Sequence, residues 1–203
     1  MNRRWILAFA VLPLALLGVL ASPAHPAAAH PLGNFSVNQY DGLALYPDRV
    51  VVSAVVDTAE IPTLQEKSTV DSDPAAYPAR ACTEVANAFE VRVGPDRLMW
   101  TVSVPAFGYA PGAGGLSTSR LTCTLTAPAH LDRAASVSVA NRYRTDRVGW
   151  RELTASGDGV RLVDSPLPAT SVSNELRAYP VDLLSSALDV PQARRLLSEV
   201  SNR

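Results

Sequence analysis

Short runs of β-branched and aromatic residues alternate with Gly, Pro and Asp turn clusters along most of this chain. The first two runs, Asn34–Tyr46 and Val50–Val56, flank a Pro47-Asp48-Arg49 turn and predict an opening hairpin. Strands of this length and spacing predict a mostly β fold, specifically an antiparallel β-sandwich. The later runs are Phe89–Val93, Arg97–Val104, Arg120–Thr126, Ser136–Tyr143, Gly149–Ala155 and Val160–Val163, and a Gly94-Pro95-Asp96 turn predicts that the first two of these form a second hairpin.

Helical signals are confined to a few segments. Asp71–Ala88 is rich in Ala, with apolar residues at roughly helical spacing, and predicts one helix inserted into the sandwich. Pro62 also lies near a helix start that follows the second strand. Asp182–Leu184 and Gln192–Val200 predict short C-terminal helices, whereas the Gly- and Pro-rich segment Pro105–Ser119 predicts a loop. Within that segment, Gly112–Gly115 is typical of a flexible loop rather than a phosphate-binding loop.

The first 29 residues have the three regions of a secretory signal peptide. Arg3 and Arg4 precede the apolar run Ile6–Ala21, and Ala27-Ala28-Ala29 supplies a small-residue cleavage site. An uncleaved anchor is the alternative, but the run is short for a spanning helix and contains a proline. We therefore expect an exported, extracytoplasmic protein with a signal peptide at 1–29, a sandwich domain at 30–165, and a linker with a helical tail at 166–203.

The composition and the common motifs that the sequence lacks narrow the classes of function that we expect. The chain has 18 basic and 19 acidic residues and no basic stripe, so we expect no nucleic-acid partner. It has no HExxH or GxSxG motif, and we expect it not to be an enzyme. Two cysteines, Cys82 and Cys123, predict a disulfide in an exported chain, and a thiolate pair for a metal is the alternative.

Cleavage after Ala29 leaves His30 as the new N-terminus. A free amine and an imidazole on one residue form a bidentate nitrogen chelator, which suits nickel, copper and zinc. The alternative is that this histidine is incidental, because some residue must follow the cleavage site.

Further metal ligands are available elsewhere in the sequence. Asp57, Glu60 and Glu66 follow the second strand, and they join His30 around a cation if the first strand folds back beside them. Helix capping by Asp57 or Thr58 is the alternative for this cluster. His130 is a weaker candidate ligand, because its position in a strand-end loop is typical of a solvated histidine.

The stretch His30–Glu66 reads HPLGNFSVNQYDGLALYPDRVVVSAVVDTAEIPTLQE, and two later stretches read NRYRTDRVGWREL (141–153) and ELRAYPVDLLSSALDV (175–190). Together they resemble the extracytoplasmic N-terminal domain of bacterial nickel/cobalt transporters of the high-affinity, NicO-like type. In long members of that family, this domain precedes a multi-helix membrane permease. The histidine- and aspartate-containing transport motifs of the permease are not part of this sequence.

The resemblance implies a module of a nickel/cobalt transport system, membrane-associated through a polytopic permease as its partner. Its cargo is then Ni or Co, and His30 is the only position that we transfer from the resemblance as a candidate ligand. Two other functions remain open. One is a copper-binding exported protein of the N-terminal-histidine type, since Cu(II) outcompetes Ni(II) for nitrogen ligands. The other is a structural interaction domain without a metal.

We predict that the exported protein begins at His30, because the A-x-A site follows an apolar run of signal length. The intact mass of the protein recovered after export measures this directly. A mass that includes residues 1–29 would contradict cleavage.

Overall fold

The computed structural model describes residues 33–179 and 198–201, which form two five-stranded sheets and two helices. The mostly β prediction is confirmed. In chain order the elements are β1 (Val37–Leu45), β2 (Arg49–Thr58), α1 (Glu60–Ser72), α2 (Tyr77–Ala88), β3 (Phe89–Val93), β4 (Asp96–Arg97), β5 (Thr101–Pro111), a 3-10 turn (Ala113–Gly115), β6 (Ser117–Pro128), β7 (Ala135–Asn141), β8 (Arg151–Gly157), β9 (Arg161–Val163) and β10 (Ser198–Ser201). Sheet I has the order β5-β6-β2-β1-β8, and sheet II has the order β4-β3-β7-β10-β9.

The opening hairpin predicted from the first two runs is present. Strands β1 and β2 pair antiparallel from Leu45 and Val50 beside the turn to Val37 and Thr58 at the far end. On its other side β2 pairs antiparallel with β6 along its whole length. The one departure from an antiparallel sheet I is β8, which pairs parallel with β1.

Alternating side chains build the core between the two sheets. Along β6 from Ser119 to Ala127, residues at odd positions are buried and those at even positions are partly exposed, as expected for a sheet with one covered face. The covered face packs with sheet II and α2 in one apolar cluster. Its fully buried members include Val37, Leu45, Val50, Val52, Val85, Phe89, Val91, Leu125 and Leu131.

The single inserted helix of the sequence analysis is two helices in the structure. Helix α1 ends at Ser72, and α2 begins only at Tyr77, so the first residues of the predicted helix Asp71–Ala88 are not in α2. Pro74 explains the break, because proline disfavours a helical conformation of the residue before it. Asp73 accordingly has the extended φ of −158°.

The predicted loop Pro105–Ser119 is wrong over much of its length, because β5 continues to Pro111 and β6 begins at Ser117.

The second predicted hairpin is also only partly correct. Strand β3 pairs with the two-residue β4, whereas β5 crosses to sheet I and pairs with β6. A register shift between Ser103 and Ala106 accommodates Pro105, which has no N–H for the ladder.

The end of the chain also differs from the expectation. Residues 198–200 of the predicted helix Gln192–Val200 lie in β10, which pairs with β7 and β9. Pairing in a sheet, a tertiary interaction, overrides local helical preference there. The remainder of that segment, and the predicted helix Asp182–Leu184, lie outside the described residues. Among those described, no helix is long and apolar enough to cross a membrane.

The disulfide between Cys82 and Cys123 is present and joins α2 to β6. Both residues are buried in the core, so the bond ties the helical layer to strand β6 of sheet I. It closes a loop with a sequence separation of 41 residues. In the chain-entropy description, a loop of this size stabilises the folded state by about 3–4 kcal/mol.

A polar network lies between the sheets at the β1–β8 edge of the core. Asn141 donates one hydrogen bond of 2.6 Å to Asp41 and another of 3.2 Å to Gln39. Arg151 donates to Gln39 and to the carbonyl of Tyr143. Burial raises the pKa of Asp41 to about 7, against the opposing effects of the Asn141 hydrogen bond and the Arg151 charge.

We predict that Asp41 makes the fold less stable as the pH rises from about 4 to about 7. The folded protein retains a proton on Asp41 that the unfolded chain has already released, so rising pH favours unfolding by up to about 1.4 kcal/mol per pH unit. Urea unfolding at pH 5.0 and 7.5 measures the loss, and the isosteric Asp41→Asn variant should lose less stability. Asp57, whose pKa burial raises to about 6, contributes a loss of stability to both proteins. Only the difference between the two losses reports on Asp41, and equal losses would contradict the prediction.

Candidate functional site

The N-terminus of α1 lies against the segment that precedes β1. Backbone N–H groups of Ala59 and Ile61 donate to the carbonyls of Ser36 and Asn34, at 2.9 and 3.0 Å. These carbonyls satisfy N–H groups that a helix start leaves without partners. No side chain caps the helix, so the alternative of capping by Asp57 or Thr58 is wrong.

Glu60, the first residue of α1, stands between these two backbone hydrogen bonds and is 1% exposed. Its Oε1 accepts a hydrogen bond of 2.7 Å from the backbone N–H of Ala113. Its Oε2 is buried and has no hydrogen-bond partner among the described residues. A buried polar atom without a partner costs about 1–3 kcal/mol, more if it is charged.

The glycine-rich segment closes over this side chain. Gly112 lies so close that a Cβ atom at this position would be 2.8 Å from Cγ of Glu60. Ala113–Gly115 then forms the 3-10 turn, in which Gly114 adopts the positive φ of 63°. The segment predicted as a flexible loop is therefore built against Glu60, and glycine at position 112 is what allows the close approach.

Asp57 has a different environment. It forms an ion pair of 2.7 Å with Arg120 on the neighbouring strand β6. Burial nevertheless raises the pKa of Asp57 to about 6, against the opposing charge and hydrogen bond of Arg120.

Glu66, two turns into α1, forms an ion pair with Arg144. The hydroxyl of Tyr77 donates to the same carboxylate at 3.5 Å. Arginines thus neutralise two of the three carboxylates that the sequence singled out, whereas Glu60 has no ion pair among the described residues.

The structure separates His130 from Glu60. His130 is exposed and follows β6 at the end where Pro128 pairs with Arg49, whereas Thr58 pairs with Ser119 at the opposite end. The ten residues of β2 between these ends span about 30 Å. His130 therefore does not belong to a site that contains Glu60.

His30 lies outside the described residues. It stands three positions before Gly33, and a chain of that length spans at most about 10 Å. Within residues 33–179 and 198–201, no group of three or more His, Cys, Asp or Glu residues is arranged to hold a metal ion. The chain matches no known protein-family model and no curated protein.

An open groove of about 240 Å³ begins one turn of α1 beyond Glu60. The Nζ of Lys67 lies over the ring of Tyr109, 5.5 Å from its centre, and forms an ion pair with Asp71. The lining residues are Thr63, Leu64, Lys67, Tyr109, Gly115, Leu116 and Ser117. Through Gly115, the groove shares the 3-10 turn with the Glu60 site.

Glu152 is a further buried carboxylate, and it was not among the candidate site residues predicted from the sequence. It is 7% exposed on β8 and accepts three hydrogen bonds, from Trp150, Val172 and Ser173. Two of these donors lie about 20 residues further along the chain, so no local pattern signals the contact.

We predict that Gly112→Ala destabilises the fold by about 1–3 kcal/mol, because the new methyl group displaces Glu60 and breaks its hydrogen bond to Ala113. Gly108→Ala, in β5 of the same hairpin, is the matched control, since nothing lies within 4 Å of the added Cβ atom. Urea unfolding of both variants measures the difference. A loss at position 112 no larger than the control would show that the turn does not constrain Glu60.

Proposed function

We propose that this chain is an exported module of a bacterial nickel/cobalt transport system. In this proposal it binds a divalent metal ion at the N-terminus of α1, with Glu60 and His30 as ligands. The observation that carries the proposal is the buried Oε2 of Glu60, which has no hydrogen-bond partner among the described residues. The metal is the cargo of the transport system.

The environment of Glu60 supports a cation as its missing partner. Oε1 already accepts the N–H of Ala113, so Oε2 has a lone pair free in a site shielded from water. A metal ion supplies the compensating charge, which Arg120 and Arg144 supply to Asp57 and Glu66. The open carboxylate oxygen is thus the donor atom most suited to a metal among these three.

The chain connection supports His30 as a second ligand. Asn34 and Ser36 are hydrogen-bonded to the residues on either side of Glu60, so the segment that leads from His30 ends at this helix start. The three-residue step from His30 to Gly33 spans at most about 10 Å, which keeps the amine and imidazole of His30 in the neighbourhood of this helix start. Two nitrogens and one oxygen suit Ni, Co and Cu. The resemblance to nickel/cobalt transporters favours the first two and names a polytopic permease as the acceptor.

We predict that protein with a native N-terminus at His30 binds Ni(II) and Co(II), measured by titration calorimetry with Cu(II) in parallel. Glu60→Gln should weaken binding at least tenfold, about 1.4 kcal/mol, because the amide retains the hydrogen bond from Ala113 but not the charge. Glu66→Gln is the matched control and should leave the affinity unchanged. Affinity should fall as the pH drops through about 6.5, since protons compete for the nitrogens.

Further variants distinguish the possible failures. One extra residue before His30 should weaken binding as much as His30→Ala, whereas His130→Ala should have no effect. Unchanged affinity in the extended protein would exclude a chelating terminus, and unchanged affinity in Glu60→Gln would exclude the proposed site. Binding of Cu(II) alone would favour the copper-protein alternative, and binding of none of the three metals would favour a structural interaction domain.

A further inference from the structure

Residues 171–179, which we call the strap, lie on the face of sheet I that points away from the core. Leu176 is 4% exposed in an apolar cluster with Tyr40, Val55 and Trp150, separate from the main core. The ring of Tyr179 packs edge-on against Trp150 at 6.2 Å between centroids. The strap thus covers a groove whose floor consists of β1, β2 and β8.

Polar side chains of the groove form hydrogen bonds with both ends of the strap. Glu152 accepts the backbone N–H of Val172 at 2.7 Å and the hydroxyl of Ser173. At the other end, Asn38 donates to the hydroxyl of Tyr179 at 3.0 Å. Glu152 forms no ion pair among the described residues, so hydrogen bonds alone compensate its burial, and the strap supplies two of its three donors.

The backbone of the strap is strained. Asn174, Glu175 and Leu176 have φ values of 49°, 55° and 65°, a left-handed turn that contains no glycine. Such a turn is unfavourable for L-residues and persists only where its surroundings hold it. Here Ser171 and Ser173 accept the N–H groups of Glu175 and Leu176, and Arg120 donates to the carbonyl of Glu175 at 2.6 Å.

We propose that this face of sheet I is a peptide-binding groove, with the strap as its releasable intramolecular ligand. The groove recognises a segment with the pattern Ser-x-x-Leu-x-x-Tyr, in which a hydroxyl meets Glu152, a leucine fills the cluster and a phenol meets Asn38. Release relieves the left-handed turn and breaks no strand pairing, because the strap lies between β9 and β10 in the chain. The proposal is independent of metal binding.

Hydrogen–deuterium exchange of the full chain tests the proposal. Strap amides should exchange at least tenfold faster than those of β1 and β2, because the strap opens without unfolding the sheets. Glu152→Gln should accelerate strap exchange at least tenfold further and leave β1 and β2 unchanged, since an amide has one acceptor oxygen for the three donors that Trp150, Val172 and Ser173 present. Glu175→Gln is the matched control, because that side chain forms only an exposed ion pair with Arg177.

A synthetic peptide of residues 171–179 provides the second measurement. In excess, it should occupy the vacated groove and accelerate exchange of the strap, whereas the same peptide with Leu176→Ala should not. Should Glu152→Gln not fold, Leu176→Ala in the protein opens the strap without altering the sheet. Two results would overturn the proposal and make the strap an integral part of the fold. One is exchange of the strap together with β1 and β2 in every variant, and the other is an equal effect of the two peptides.

Discussion

Strand β2 is hydrogen-bonded on both sides along its whole length, to β1 and to β6. This double ladder positions the Glu60 site, the loop with His130 and the groove under the strap. One end of β2 leads into α1 and Glu60, and the other holds the loop with His130. One face packs the core, and the other contributes Val55 to the groove under the strap. Because register in a sheet has a period of two, a slip of one residue would exchange these two faces.

Glu152 and Glu60, two of the buried carboxylates on this framework, differ in how their burial is compensated. Glu152 accepts three hydrogen bonds, two of them from a distant part of the chain, and so determines where that part lies. Glu60 accepts one, which holds the 3-10 turn over it, and its second oxygen remains without a partner among the described residues. The first carboxylate is explained by the fold alone. The second has an oxygen without a partner among the described residues, and a metal ion is the partner that we propose for it.

The features that local chemistry determines were predictable from the sequence. The β-branched run of β2 beside a Pro-Asp turn predicted the first hairpin, and two cysteines predicted the disulfide. The part of β5 from Pro105 to Pro111 was missed, because Ala106, Gly108 and Ala110 have little strand preference and only pairing with β6 makes them a strand. Glu60 was identified as one of three equivalent carboxylates. Only the fold separates them, since Arg120 and Arg144 approach the other two from far along the chain.

The parallel pairing of β8 with β1 has a consequence for the order of assembly. The paired residues are 112 positions apart in the sequence, as are Asn38 and Trp150, which are hydrogen-bonded beside the two strands. A chain that emerges N-terminus first can form the β1–β2 hairpin early, but the free edge of β1 stays open until residue 157 is available. Contacts of such long sequence separation slow folding and leave a strand edge exposed meanwhile. The chain is thus most vulnerable to mispairing during the interval in which its middle third is synthesised.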